Sequence, residues 1–423
     1  MIYLLFIFYS ILFCWLITRI DFFRKSGLSQ RILVILFVVR IVSLIAGCYV
    51  NLYVLPISDS LNFHKTGIEE FHLLFQNPHE YFANIFRSDY PSGYSRFLDD
   101  TKSFWNNLRT LLIGKMLSVF DIFSFKNFWI NTLFYNFLVF FGNVALYKVF
   151  IRIFPKCVPQ LIICIFLLPS ALFFTSMINR DGLIFLSLSM IIYHLSFIFN
   201  YRTFSIKRLL LNIFFLICIL LLRNFVFIVL IPALVAWFVA EKYPSKAFLS
   251  FIIIYGFFTI LFFSSGLISA RTDLPEYVSL RQQSFIELGK LGNSTIPIDS
   301  LHPTWKSFLL NAPQAMNHVL LRPYLTEIES IQYVPFAIEI FLVEILLALF
   351  IFFHKKNIHI PPLIYFCLFF SLTMLLVTGY TVPIIGAIVR YRSIYLVFLL
   401  LPLICYTDWF RIKEVFVKNK RHI

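Results

Sequence analysis

Apolar residues in this chain come in long unbroken runs, and polar residues collect in the gaps between them. Eleven runs stand out, approximately 2–18, 32–54, 128–147, 158–175, 182–199, 209–222, 224–240, 247–265, 334–353, 361–378 and 391–407. Runs of roughly 18 or more apolar residues have the length of a bilayer-crossing helix. A transmembrane barrel would instead show segments of about 10 alternating residues, and these runs do not alternate. The pattern predicts an all-α integral membrane protein, one polytopic helical bundle over residues 1–423. The sixth and seventh runs are short and parted only by "RN" at 223–224. They form two spans, one broken helix or a re-entrant pair, so the count lies between nine and twelve.

Two long gaps remain, 55–127 and 266–333. In the first, "WNNLRTLLIGKMLSVFDIFS" (105–124) repeats apolar residues at helical spacing, with Arg109, Lys115 and Asp121 among them. That reads as an amphipathic helix lying at the membrane interface. A second such helix is expected within 300–325, around "PTWKSFLLNAPQAMNHVLL".

Composition agrees. Of 423 residues 60% are hydrophobic and 13% charged, and the mean hydropathy is +0.84, more apolar surface than a soluble domain can bury. The opening "MIYLLFIFYSILFCWLI" has no basic leader and no small-residue cleavage site, so it reads as the first span. The seven cysteines form no C-x-x-C pair and give no metal or redox signature.

Charge sets the expected orientation. The short gaps 19–31, 148–156, 200–208, 241–246, 354–359 and 408–423 hold 19 of the 36 basic residues but only 4 of the 21 acidic ones. The rest of the chain is balanced at 17 of each, so the net charge of +15 belongs to one face. By the positive-inside rule that face is cytoplasmic, which puts the N-terminus and both long gaps outside and the C-terminus inside. Anionic lipid headgroups then account for the charge, and no nucleic-acid partner is needed.

Charged residues near the outer ends of the runs are the candidate functional set. Arg180 and Asp181 open the fifth run in "NRDGL", and Arg223 sits inside "ICILLLRNFVFIVLIP". Arg322 lies in "LLRPYLTEIES", Arg390 and Arg392 open the last run in "GAIVRYRSIYLVF", and Asp59 and His64 lie in "LPISDSLNFHKTG". Charge at membrane depth is expensive and usually faces a polar cavity or a partner. Arginine rather than lysine at all five basic positions fits forked recognition of phosphate, helped where a helix N-terminus faces the anion. The five arginines are expected to line one cavity, with Asp59 at its mouth. Structural readings stand beside this one. Asp181 also fits a helix cap, Arg392 a snorkelling side chain and Arg223 a structural ion pair. Arg322 and Asp59 also fit loop punctuation. His64, His72 and His79 lack metal-ligand spacing, Asp99 and Asp100 read as a solvated loop, and no phosphate-binding loop or nucleophile elbow is present.

"SDSLNFH" resembles the first external loop of GT-C-type membrane glycosyltransferases. "LPSALFFTSMINRDGLIF", "LLRPYLTEIES…AIEIFLVEILL" and "AIVRYRSIYLVF" resemble segments of bacterial polysaccharide-assembly membrane proteins. Together these cover about a quarter of the chain. Asp59 follows the second span rather than the first, and Asp59-Ser60 stands where an acidic pair is frequent. The resemblance implies a GT-C-like fold in a bacterial cytoplasmic membrane, with amphipathic helices along the outer face. It also implies a polyprenyl-(pyro)phosphate-linked sugar donor, a glycan or glycolipid acceptor and no cofactor or metal. Asp59 would act as base, assisted by Asp181, with Arg180, Arg223, Arg322, Arg390, Arg392 and His64 binding the donor phosphate. Two alternatives remain: an O-antigen-type polymerase or ligase relying on the arginines alone, and a lipid-linked-oligosaccharide flippase. The latter fits less well, since transporters tend to carry internal repeats and midplane charges.

Overall fold

The computed structural model describes residues 2–54, 58–91, 93–95, 97, 103–201, 205–268, 273–290, 294–327, 331–356 and 358–419. Asp99 and Asp100 lie outside them. Helices dominate: α1 (Ile2–Arg19), α2 (Asp21–Arg24), α3 (Gln30–Tyr49), α4 (Asp59–Gln76), α5 (Pro78–Ala83), α6 (Phe104–Ser124) and α7 (Phe128–Ile153). After α8 (Val158–Ile162) and α9 (Pro169–Ser176) come α10 (Arg180–Tyr201), α11 (Ile206–Leu222), α12 (Asn224–Lys242) and α13 (Ala247–Ile268). The chain continues through α14 (Leu274–Gly289), α15 (Trp305–Leu320), α16 (Val334–Phe353), α17 (Pro362–Thr381), α18 (Ile385–Tyr406) and α19 (Trp409–Asn419).

Among the described residues, nine helices are long and apolar enough to cross a membrane. A pair bent by 45°, Val158–Leu167 and Pro169–Ser176, raises the number to as many as ten. The chain is an all-α protein of the multi-pass membrane type. The break in the bent pair falls at Leu168, just before a proline that favours extended backbone in the residue ahead of it. The remaining expected run, 209–222, falls in α11, whose 17 residues are at the short end of what crosses a bilayer.

The chain divides into two compact units, Met1–Lys156 with Leu172–Phe227, and Cys157–Ala171 with Ile228–Ile423. In the first, α1, α3 and α7 interlock through phenylalanines, among them the Phe13–Phe137 stack at 4.4 Å and the Phe37–Phe140 contact at 5.3 Å. Arg40, wholly buried in α3, is held by neutral acceptors: Asn136 Oδ1 at 2.7 Å, Asn143 Oδ1 at 3.0 Å and the Thr175 carbonyl at 2.9 Å. Outside this group, α4 and α6 form a close pair. Gly67 packs against Leu117 and Gly114 against Thr66, each with no room for a Cβ. Lys115 and Glu70 meet at 2.7 Å beneath Tyr81, both nearly buried.

In the second unit α17 packs against α15 and α18. Gly379 lets the backbone at Ala315 come close, and Tyr380 donates to the Phe308 carbonyl at 2.6 Å. Gln282 of α14 is buried with its amide fully used, donating to the Asp299 and Tyr380 carbonyls and accepting from the Leu301 N–H.

Candidate functional site

The "NRDG" turn is built from its own side chains. Asn179 precedes α10 and its Oδ1 accepts from the Gly182 N–H at 3.1 Å, capping the helix. Its Nδ2 donates to the Phe174 carbonyl and its carbonyl accepts from Tyr135 Oη, both at 2.6 Å. A Cβ at Gly182 would run into that Tyr135 hydroxyl, so the position is closed to larger residues. Arg180 and Asp181 are thereby fixed as the first residues of α10.

Asp181 is fully buried, and its Oδ1 lies 2.8 Å from Nη2 of Arg223, itself 7% exposed. Arg223 adopts an extended conformation (φ −150°, ψ 93°) between α11 and α12, so the "RN" break is a break in the helix. Both ends are still satisfied there. The Arg223 N–H donates to the Ile219 carbonyl at 2.8 Å, and the Arg223 carbonyl accepts from the Val226 N–H at 3.1 Å. The structural ion pair considered for Arg223 is therefore present, and its partner is the acid from the opening of α10.

Arg180 turns to the α4–α6 pair. Its guanidinium lies 5.6 Å from the Phe63 ring centroid on α4, and Nη2 lies 3.5 Å from Thr110 Oγ1 on α6. Ser58 caps α4 through its hydroxyl, which makes Asp59 the first helical residue, with an exposed side chain. Phe63 is four residues on and shares the face of Asp59. The first unit thus brings Arg180 over the turn of α4 that begins with the candidate base.

His64 is placed differently. Its Nδ1 lies 3.3 Å from Asn131 Nδ2, which also donates to Asp121 Oδ1 at 2.6 Å, and its ring packs against Phe128. Burial pulls His64 down to about 4, only partly offset by a hydrogen bond to the Lys126 backbone. A neutral imidazole held in this way offers no cation to a phosphate.

The other three arginines belong to the second unit. Arg390 and Arg392 are expected at the N-terminus of the last span, but α18 begins at Ile385. The apolar "IGAIV" simply continues as helix after an extended break at 382–384, where Ile384 bridges to Thr295, so the two arginines sit more than one turn inside. Arg392 is fully buried, and its Nη1 donates to the carbonyls of Val319, at 3.2 Å, and Arg322. Its Nε and Nη2 have no hydrogen-bond partner among the described residues. Arg322 pairs with Glu327 at 3.2 Å, and Arg390 is half-buried. Nearby in charge is Glu339 of α16, whose two oxygens accept from the backbone N–H and the hydroxyl of Ser170, each at 2.6 Å.

Three features went unremarked in the sequence: Arg40, the Ser170–Glu339 contact, and Asn131 bridging His64 to Asp121. A lone arginine within "ILFVVRIVSLIAG" was a visible signal for the first. The other two depend on partners far apart in the chain.

Compared with family models, curated proteins and solved structures, the chain matches none. Its reading rests on its own geometry. Among the described residues no three His, Cys, Asp or Glu side chains gather closely enough to hold a metal ion. What the first unit offers is a helix that opens on an exposed carboxylate, an arginine set against Phe63 of that helix, and a buried Arg–Asp pair.

Proposed function

We propose that the chain is a membrane glycosyltransferase of GT-C-like type. It moves a sugar from a polyprenyl-(pyro)phosphate donor to a glycan or glycolipid hydroxyl at the outer face of a bacterial cytoplasmic membrane. The observation that carries the reading is the placement of Arg180 against Phe63 of α4, the helix that opens with the exposed Asp59 one turn earlier. Transfer needs a base and a cation at these two places. Asp59 takes the proton from the acceptor hydroxyl, and that oxygen bonds to the anomeric carbon. The bond from that carbon to the phosphate oxygen breaks, and the leaving phosphate keeps the electron pair. An arginine at the departing oxygen stabilises charge where it develops. Asp181 acts through Arg223, fixing the break in the chain next to α10 rather than touching substrate.

The orientation follows from the one-sided +15 charge. In an assay of the purified protein with a polyprenyl-linked sugar, Asp59→Asn is expected to lower turnover by about 10²–10⁴-fold while lipid binding persists. Full turnover in that variant defeats the assignment of Asp59 as base. If the arginine variants then abolish transfer, the polymerase or ligase reading takes its place. If every variant transfers normally, the flippase reading does.

A further inference from the structure

The second unit holds a buried cation whose recognition edge is unused. Arg392 commits Nη1 to two backbone carbonyls at the C-terminal end of α15, those of Val319 and Arg322. That contact alone explains why a positive charge is tolerated there, since it meets the negative end of a helix. It leaves Nε and Nη2, which have no partner among the described residues. These two N–H groups lie along one edge of the planar guanidinium, and that edge takes two oxygens of a single carboxylate or phosphate side-on.

The nearest acid in charge does not fill it. Both Glu339 oxygens are held by Ser170 at 2.6 Å. Two further nitrogens at the same end of α15 have no hydrogen-bond partner among the described residues: Nε of Arg322, and Nδ1 of His318, a residue only 2% exposed whose ring nitrogen donates in one tautomer. These residues flank the two carbonyls that hold Arg392. Buried N–H donors are rarely left unmade in folded proteins. Several such nitrogens around one helix end describe a site shaped for an anion.

We propose that Arg392, Arg322 and His318 form an oxyanion subsite within the second unit. It takes a phosphate group side-on through Arg392 Nε–H and Nη2–H, whether from a lipid phosphate or from free phosphate. A phosphate is favoured over a carboxylate because Arg322 Nε–H is a donor beyond the two of the fork, and a tetrahedral group has a third oxygen for it. The inference deepens the proposed function by assigning a phosphate site. It needs no transfer to occur, so it can be tested by binding alone.

The experiment is thermal unfolding of the purified full-length protein in detergent micelles. Inorganic phosphate, inorganic pyrophosphate or polyprenyl phosphate is titrated in, with sodium chloride matched for ionic strength. A saturable rise in melting temperature is expected with at least one phosphate species and not with chloride. Arg392→Lys keeps a charge for the α15 carbonyls but loses the fork. It should weaken the response by about tenfold or more, as loss of a charge-assisted hydrogen bond does. Should that variant fail to fold, Arg322→Gln and His318→Gln leave the Arg392 contacts intact and should each weaken the response. Response to the lipid alone assigns the site to a lipid headgroup, and equal response to inorganic phosphate assigns it to the free ion. No response in the parent chain, or an unchanged response in all folded variants, overturns the proposal. A chain that binds phosphate but transfers no sugar keeps this inference and loses the enzymatic one.

Discussion

Arg223 Nη2 lies 2.8 Å from Asp181 Oδ1, and neither side chain is more than 8% exposed. The pair ties the first turn of α10 to the break between α11 and α12. Removing one member leaves the other charge buried and uncompensated, which costs about 3–5 kcal/mol. Asp181→Asn and Arg223→Gln should each lower the melting temperature sharply. The double variant, with no charge left to strand, should lose much less than the two single losses added together. Simple additivity in thermal unfolding would mean that the pair is not coupled.

The glycines make a graded set. A Cβ at Gly379 would run into backbone atoms of Ala315, which cannot move without shifting α15. At Gly47 the obstruction is the flexible end of Met177, and at Gly256 nothing lies within 4 Å. Gly379→Ala should therefore destabilise by about 1–3 kcal/mol, the range for overpacking. Gly47→Ala should cost less, and Gly256→Ala should be neutral or slightly stabilising through helix propensity. Thermal unfolding of the three variants checks the order. An equal loss at 256 and 379 would be incompatible with the packing described.

The spans were legible because a bilayer demands long apolar runs, and each expected run falls on a helix or on the bent pair. The helices α6 and α15 were legible for a related reason, as apolar residues recur at helical spacing. In α6, though, it is Arg109, Lys115 and Asp121 that are buried, while Val119, Ile122 and Phe123 are exposed. Helices α4 and α14 were not singled out, since both lie in long polar gaps and carry no span-length apolar stretch. The site was legible as residue types but not as partnerships. Arg223 and Asp181 both stand at run ends, yet only tertiary packing makes one the counter-ion of the other. His64 was read as a phosphate ligand from its place near Asp59. Five residues along a helix turn it to another face, where Asn131 meets it.

The topology proposed from the charge asymmetry can be tested independently of activity. Lys290→Cys, at the end of α14, should react with a membrane-impermeant maleimide added outside intact cells, above the signal of the parent chain. Lys418→Cys, in the basic C-terminal segment, should react only after the membrane is opened. Labelling of position 418 from outside would reverse the assigned orientation.

The junction of α4, α6 and α7 should respond to acid with a sign set by two opposed groups. Burial holds His64 down to about 4, against an ordinary value near 6.5. Between those values the unfolded chain takes up a proton that the folded chain refuses, so stability falls as pH drops from 6.5 toward 4. Asp121 is shifted the other way. Burial raises its carboxyl, despite hydrogen bonds from Asn131 and Ser124. A raised acid stabilises the folded chain most at low pH, and that contribution fades as pH rises through the folded value. Where the two windows overlap, Asp121 offsets part of the loss from His64. His64→Gln should therefore flatten the fall in melting temperature between pH 7 and pH 4.5, and Asp121→Asn should steepen it. A fall equally steep in the His64 variant would show that this imidazole is not what acid disrupts. The junction bears on function because α4 begins at Asp59. Under the proposed transferase reading, loosening it would shift the helix that carries Asp59, and turnover should fall on the acid side before the protein unfolds.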